Sequence, residues 1–154
     1  MSREAAIGIF DSGVGGLTVV HALIEALPAE HLIYLGDTGR YPYGTKSAET
    51  VTRYSLENTE FLLARDVKLL VVACNSASSV ALGPIAARAG VPVVGVIEPG
   101  ARAALARSRT RRIGVIGTSA TIRSQAYSEA ILARWDYAAV WRNLLEAAER
   151  TVRS

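Results

Sequence analysis

The chain has 154 residues, 50% of them hydrophobic and 20% charged, with a formal net charge of +3. That apolar content suits one packed domain or two small lobes and argues against global disorder. The single cysteine excludes an internal disulfide, and no apolar run approaches the ~20 residues a bilayer-spanning helix needs.

Ala5 to Phe10 reads as a buried strand. Leu17 to Leu27 reads as a helix, with Leu17, Val20, Ile24 and Leu27 on one face. His31 to Leu35 is a second strand. Ser47 is the expected N-cap of the next helix, with Glu49 in its first turn and Val51, Tyr54, Phe61 and Leu62 on a common side. Lys68 to Ala73 is apolar after its lysine, as a central parallel strand should be. A helix rich in Ala and Ser follows and ends at Gly90. Val91 to Val96 is another strand, Pro99 suits the first turn of the helix after it, and Arg112 to Ile116 is the last strand. Helical pattern resumes near Thr121. Tyr137, Val140, Trp141, Leu144, Leu145, Ala148 and Val152 then mark a terminal amphipathic helix.

This alternation predicts an α/β fold, a parallel sheet flanked by helices. Ile7 to Ser12 is echoed by Ile113 to Thr118, each a strand ending in a small hydroxyl residue; this is either chance similarity between two apolar strands or a pseudo-repeat with a second lobe starting near Pro99. The expected division is a first lobe over 1–98, a partial second lobe over 99–134 and the amphipathic helix over 135–154. Ligands of such sheets bind beyond the carboxyl ends of the strands, so the residues just after each apolar run matter most.

Asp11-Ser12-Gly13-Val14-Gly15-Gly16 is a Gly-rich turn, but the third glycine of a dinucleotide fingerprint would fall at Thr18. An acidic residue at its start would also repel pyrophosphate. Capping accounts for Asp11 or Ser12 without any ligand; alternatively the turn's N–H groups and the Ser12 hydroxyl hold a substrate carboxylate or ammonium. Gly39 to Ser47 fails as a phosphate loop, with one residue too many before Lys46 and with Pro42 removing a donor. It reads instead as a proline-containing loop or a substrate-lining one. Cys74 meets a helix start among polar Asn75, Ser76, Ser78 and Ser79, which suits a cavity better than a dry core. The helix dipole there should favour thiolate. His21 and His31 are far from it in sequence, so neither a Cys/His pair nor a metal site is signalled. Arg102, Arg107, Arg109, Arg111 and Arg112 crowd one segment without interleaved aromatics, which fits solvated surface or attraction of anionic metabolites better than nucleic-acid binding.

Taken together, several segments resemble glutamate racemases, within the aspartate/glutamate racemase superfamily. They are Gly8 to Val19, Tyr34 to Asp37, Tyr41 to Gly44, Ala73 to Ser78, Gly95 to Ala101 and Ile113 to Thr118, in the family's order and roughly its spacing. Asp-Ser-Gly-Val-Gly-Gly with Tyr-Pro-Tyr-Gly points to the glutamate branch. The resemblance implies two α/β lobes with the site between them, no cofactor, and interconversion of L- and D-glutamate to supply D-glutamate for peptidoglycan and cell-wall biogenesis. Two cysteines of the family face each other across the substrate, one taking the α-proton and the other returning one. Carried over, Cys74 is an acid/base assisted by Asp11. Ser12, Tyr43, Gly44, Asn75 and Ser76 bind or line the substrate, with Thr118 and Thr121 from the second lobe. Ser76 stands where the family often has threonine.

A thiol suits α-proton transfer because its ordinary pKa of ~8.5 lies near working pH. Asp11 works against this, since a nearby carboxylate raises a thiol's pKa. The resemblance fades after about Ile131, and the family's second cysteine, in a Cys-Thr-His segment, has no counterpart here. The rival expectation is therefore a catalytically inactive truncated lobe that binds an amino acid or self-associates, as a homodimer for instance, through exposed strand edges. A nucleotide-binding enzyme is a third reading, in which ATP or NAD would raise thermal stability; no such rise is expected. The remaining expectations are glutamate as small-molecule partner, no nucleic acid, no membrane, no metal, no signal peptide and a cytoplasmic location.

Overall fold

The structure, a computed structural model, describes residues 4–110 and 112–134. The expected amphipathic helix over 135–154 lies outside the described residues. Four parallel strands form one sheet in the order β2-β1-β3-β4: β1 is Ala6–Asp11, β2 Leu32–Gly36, β3 Val67–Val72 and β4 Val93–Gly95. After β1 the chain places β2 on one side and β3 on the other. The strand order therefore reverses between β1 and β3, and a crevice opens at their carboxyl ends.

β1 is buried along its whole length, and period-two alternation sends its side chains to two cores. Ile7 and Ile9 join Val71 and Ala73 beneath α1 (Leu17–Ala26), while Ala6 and Phe10 join Leu70 and Val72 on the other face. That second face is covered by α2 (Ala48–Leu63), α3 (Asn75–Val80) and α4 (Leu82–Ala89). Helices thus cover both faces, as the βαβ rhythm requires.

Two apolar faces differ from expectation. On α1 it is Val19, Val20 and Leu23 that pack on the sheet, whereas Leu17, Ile24 and Leu27 are exposed. The helix carries apolar residues on both sides, so spacing alone does not select the inner one. On α2, Val51 and Leu62 are buried and Tyr54 packs beside them, but Phe61 is exposed. Its buried stripe is completed by Ser55, Asn58 and Thr59. Ser55 and Thr59 donate to Val51 O and Ser55 O, one turn back, so polar residues sit in the core without unpaired groups. Ser47 caps α2 as expected, accepting from Thr50 N.

The Ala/Ser-rich helix is two helices, α3 and α4, broken at Ala81. Pro84 then falls in the first turn of α4, where its missing N–H costs nothing. Gly90 ends α4 with φ of 63°, a left-handed conformation suited to glycine. α5 (Ile97–Arg107) has Pro99 in its first turn, and α6 (Ser119–Arg123) and α7 (Ala126–Ala133) follow.

The expected strand over Arg112 to Ile116 does not form. No strand pairs with this run among the described residues, and Ile116 is 98% exposed. An apolar run becomes a strand only where a neighbouring backbone completes its ladder. Here the run lies along α5 and α7 instead, sharing a cavity wall with Ala101, Ala104 and Ile131.

Candidate active site

The crevice at the ends of β1 and β3 holds a cavity of about 610 Å³. Register explains what meets there. Phe10 pairs with Val72, and Ala73 N donates to Phe10 O at 2.8 Å, so Ser12 and Cys74 emerge side by side. The Cys74 thiol donates to Ser12 Oγ at 3.3 Å.

The turn after β1 is held from within. Asp11 is 7% exposed, and its Oδ2 accepts from Gly16 N at 2.9 Å. Tyr34 on β2 donates to Gly13 O at 3.0 Å. A Cβ on Gly16 would come within 2.7 Å of Asp11 Cβ and 3.0 Å of Ala73 Cβ, so this close approach requires glycine.

Cys74 is the N-cap residue of α3 and is only 5% exposed, yet it lines the cavity. Burial pushes its pKa up. The negative charge of Asp11 adds to that rise, while hydrogen bonds from the Ser12 side chain and the Ala77 and Ser12 backbone oppose it. The net shift thus runs against the expectation of a thiolate favoured by the helix terminus, because desolvation outweighs the backbone donors.

Polar side chains continue around the cavity. Ser76 Oγ and Thr118 Oγ1 lie 2.9 Å apart, and Thr118 Oγ1 lies 3.1 Å from Thr121 Oγ1. Thr118 also caps α6 by accepting from Thr121 N. Asn75 Oδ1 accepts from the Tyr127 hydroxyl at 2.7 Å.

Of the residues singled out in the sequence, Asp11, Ser12, Cys74, Asn75, Ser76 and Thr118 line this cavity together. Thr121 lines an adjoining cavity of about 400 Å³ that shares Asn75, Thr118 and Tyr127 with the first. Tyr43 and Gly44 stand behind the wall rather than on it. Tyr43 is 1% exposed, and its hydroxyl donates to Asp37 and accepts from Asn58 Nδ2. Burial and the Asp37 carboxylate push its pKa far up, so it stays protonated. Gly44 packs against Thr118, whose side chain a Cβ there would overlap.

The loop residues that do reach the cavity are Thr38 and Tyr41. Arg40 holds this loop through Asp37 at 2.7 Å, Asn58 at 2.9 Å and Glu57, with its guanidinium 4.4 Å from the Tyr54 ring centre. Sequence reasoning missed Tyr127 and did not single out Tyr41. The Tyr-Pro-Tyr-Gly segment signalled the loop but not which tyrosine faces in. Nothing in the helical pattern after Thr121 marks Tyr127. Among the described residues, no group of three or more His, Cys, Asp or Glu side chains could hold a metal ion.

The pattern of the Asp/Glu/Hydantoin racemase family matches residues 7–150. The chain belongs to this family. A glutamate racemase of Geobacter metallireducens is 67% identical over 126 residues, which are 82% of this chain and 47% of that protein. One of Aquifex aeolicus is 58% identical over 125 residues, 81% of this chain and 49% of its own length. Among solved structures, glutamate racemase isoform RacE1 of Bacillus anthracis superposes with a TM-score of 0.85 at 45% identity, over 88% of this chain and 51% of that one. The Thermus thermophilus glutamate racemase in complex with β-chloro-D-alanine gives 0.78 at 52% identity, over 85% and 50%. The chain therefore spans about half the length of the curated relatives it matches, and its α/β architecture is that of the matched half.

Proposed function

We propose that this racemase-family chain handles the α-proton of glutamate with Cys74, as a cofactor-independent amino-acid racemase does. The observation that carries the reading is the Cys74 sulfur lining a cavity ringed by Ser12, Asn75, Ser76 and Thr118. Those hydroxyl and amide groups are suited to the substrate's carboxylates and ammonium.

The raised thiol pKa gives the substrate a role. An α-ammonium placed near Asp11 and Cys74 brings a positive charge that offsets the carboxylate and favours thiolate. Base formation is then coupled to substrate binding. In this reading Asp11 holds the Gly-rich turn and balances the ammonium, Ser12 steadies the sulfur, and Asn75, Ser76, Thr118 and Thr121 orient the ligand. Tyr43 and Gly44 shape the wall from behind.

Inversion needs a proton delivered to the opposite face of the α-carbon. The 154 residues contain one thiol, so the output expected of this chain is exchange with retention at one face. The division into a first lobe over 1–98, part of a second over 99–134 and a helix over 135–154 belongs to the same reading. So do a cytoplasmic location, supply of D-glutamate to peptidoglycan, and homodimer formation. The last is supported by the exposed apolar residues Val14, Leu17, Ile24 and Leu27. No helix among the described residues is long and apolar enough to cross a membrane.

The test is incubation of the purified chain in heavy water with D- and L-glutamate separately, read by mass spectrometry. Deuterium should enter the α-position of one enantiomer and not with a Cys74→Ser variant. Binding without deuterium in either enantiomer would instead indicate a non-catalytic amino-acid-binding lobe.

A further inference from the structure

Tyr127 stands on the first turn of α7 and is one of the residues shared by the two adjoining cavities. Its hydroxyl donates to Oδ1 of Asn75, the residue next to Cys74. An asparagine amide has an acceptor oxygen and a two-proton nitrogen that are alike in shape and opposite in chemistry. Which end faces a ligand must therefore be set by a neighbour. The Tyr127 proton has no other acceptor among the described residues. Turning the amide over would break this 2.7 Å bond, set the amide donors against the phenol donor and leave its proton to water, a modest cost because the bond is exposed. Burial also pushes the phenol's pKa up, so it remains a donor through the neutral range.

The phenol itself is held in place. A Cβ on Gly100 of α5 would sit 3.1 Å from the Tyr127 hydroxyl and 3.2 Å from Cε1, so glycine leaves the space the ring edge fills. An ion pair between Glu98 and Arg134 ties the start of α5 to the end of α7. Two helices thus fix the ring, and the ring fixes the amide.

We infer that Tyr127 is a positioning and specificity residue. By occupying Asn75 Oδ1 it turns the Asn75 NH₂ toward the cavity, so that the wall beside Cys74 donates to a carboxylate and disfavours a carboxamide. This rests on the glutamate reading above and adds to it the source of discrimination between acid and amide. Charge-assisted donation to a carboxylate is roughly twice as strong as the neutral equivalent, so a fixed donor favours the acid. An amide free to turn would accept from a carboxamide as readily as it donates to a carboxylate.

The experiment measures dissociation constants of the ¹⁵N-labelled full chain for glutamate, glutamine and isoglutamine by NMR. It also follows the Asn75 side-chain amide signals with and without ligand. For Tyr127→Phe, the preference for glutamate over the better-bound amide should fall about 5-fold or more, on the scale of one hydrogen bond. The thermal midpoint and the pH midpoint of Cys74 alkylation should stay at wild-type values. In an Asn75→Ala background the same substitution should change the preference no further. An unchanged preference, equal weakening of all ligands, or an undiminished effect without Asn75 would overturn the inference. If the wild-type chain binds none of the ligands, the Asn75 amide signals decide. Signals unchanged in Tyr127→Phe overturn the role of Tyr127, whereas altered signals support its hold on Asn75 and overturn the glutamate reading alone. Acid preference that depends on Tyr127, without deuterium exchange, supports the inference and overturns only the catalytic step.

Discussion

The wall made by Asp11, Ser12 and Cys74 grows out of the two central strands, whereas the wall made by Thr118 and Tyr127 stands on helices beyond an unpaired apolar run. The first is fixed by sheet register, by Asp11 Oδ2 on Gly16 N and by tight packing around Gly16. The second reaches the sheet side through a few side-chain bonds, Ser76 to Thr118 and Tyr127 to Asn75. Burial of apolar side chains sets the chemistry of one wall, and individual hydrogen bonds set the orientation of the other. Overpacking the first should therefore cost stability, whereas a change to the second should act mainly on recognition.

The largest effect expected is loss of function without loss of fold. Cys74→Ser should reduce α-proton exchange by roughly 10²–10⁴-fold, the usual worth of a positioned acid/base. Its circular dichroism and thermal midpoint should stay close to wild type.

The sharpest contrast between the walls comes from one substitution made twice. Gly16→Ala forces a methyl against Asp11 and Ala73 inside the packed wall, and overpacking there should cost ~1–3 kcal/mol in urea denaturation. Gly44→Ala instead sets a methyl against Thr118 Cβ itself, a clash that no rotation of that side chain relieves, so the start of α6 must move. It should therefore weaken glutamate binding more than Gly16→Ala does, by about 10-fold in calorimetry. Equal binding losses at the two positions would erase the distinction. Thr118→Val sharpens it further. It removes the α6 cap and the bond to Ser76, costing ~0.5–2 kcal/mol, with β1 and β3 amides keeping their hydrogen-exchange protection.

The smallest effect lies in pH. Folding raises the Cys74 pKa, so the folded chain holds that proton more tightly than the unfolded one. The stabilising contribution is complete below the free thiol's ~8.5 and fades as pH rises from there through the higher folded value. Asp11→Asn removes a charge that raises the thiol pKa, and it should move the alkylation midpoint downward. A midpoint unmoved or raised by that change would mean that the carboxylate does not act on the sulfur.

The parts legible in the sequence are those governed by short-range rules. The apolar runs of β1 and β3, the Ser47 cap and the Gly90 stop are local signals, and each is an element or terminus in the structure. The cluster of Asp11, Ser12 and Cys74 was legible as well, because parallel strands deliver their carboxyl ends to one edge. What escaped depends on partners distant in sequence. The run from Arg112 to Ile116 has strand composition but no paired backbone beside it among the described residues. Phe61 and Leu62 are adjacent and apolar, yet only the position relative to the sheet decides which is buried. Tyr41 and Tyr43 lie two residues apart, and Arg40, anchored on α2, fixes the loop in which one faces the cavity and the other the core. Tyr127 becomes meaningful only once α7 lies against α5.

The most direct test of a cavity-facing sulfur is alkylation of Cys74 in the native chain with iodoacetamide, followed by mass spectrometry as pH is raised. The native chain should be labelled without denaturant, with a midpoint above the ordinary thiol value. Glutamate should protect it, whereas an unrelated anion such as sulfate should not. Labelling that appears only after unfolding, or proceeds at the same rate with saturating glutamate, would contradict the placement of this thiol at the binding site.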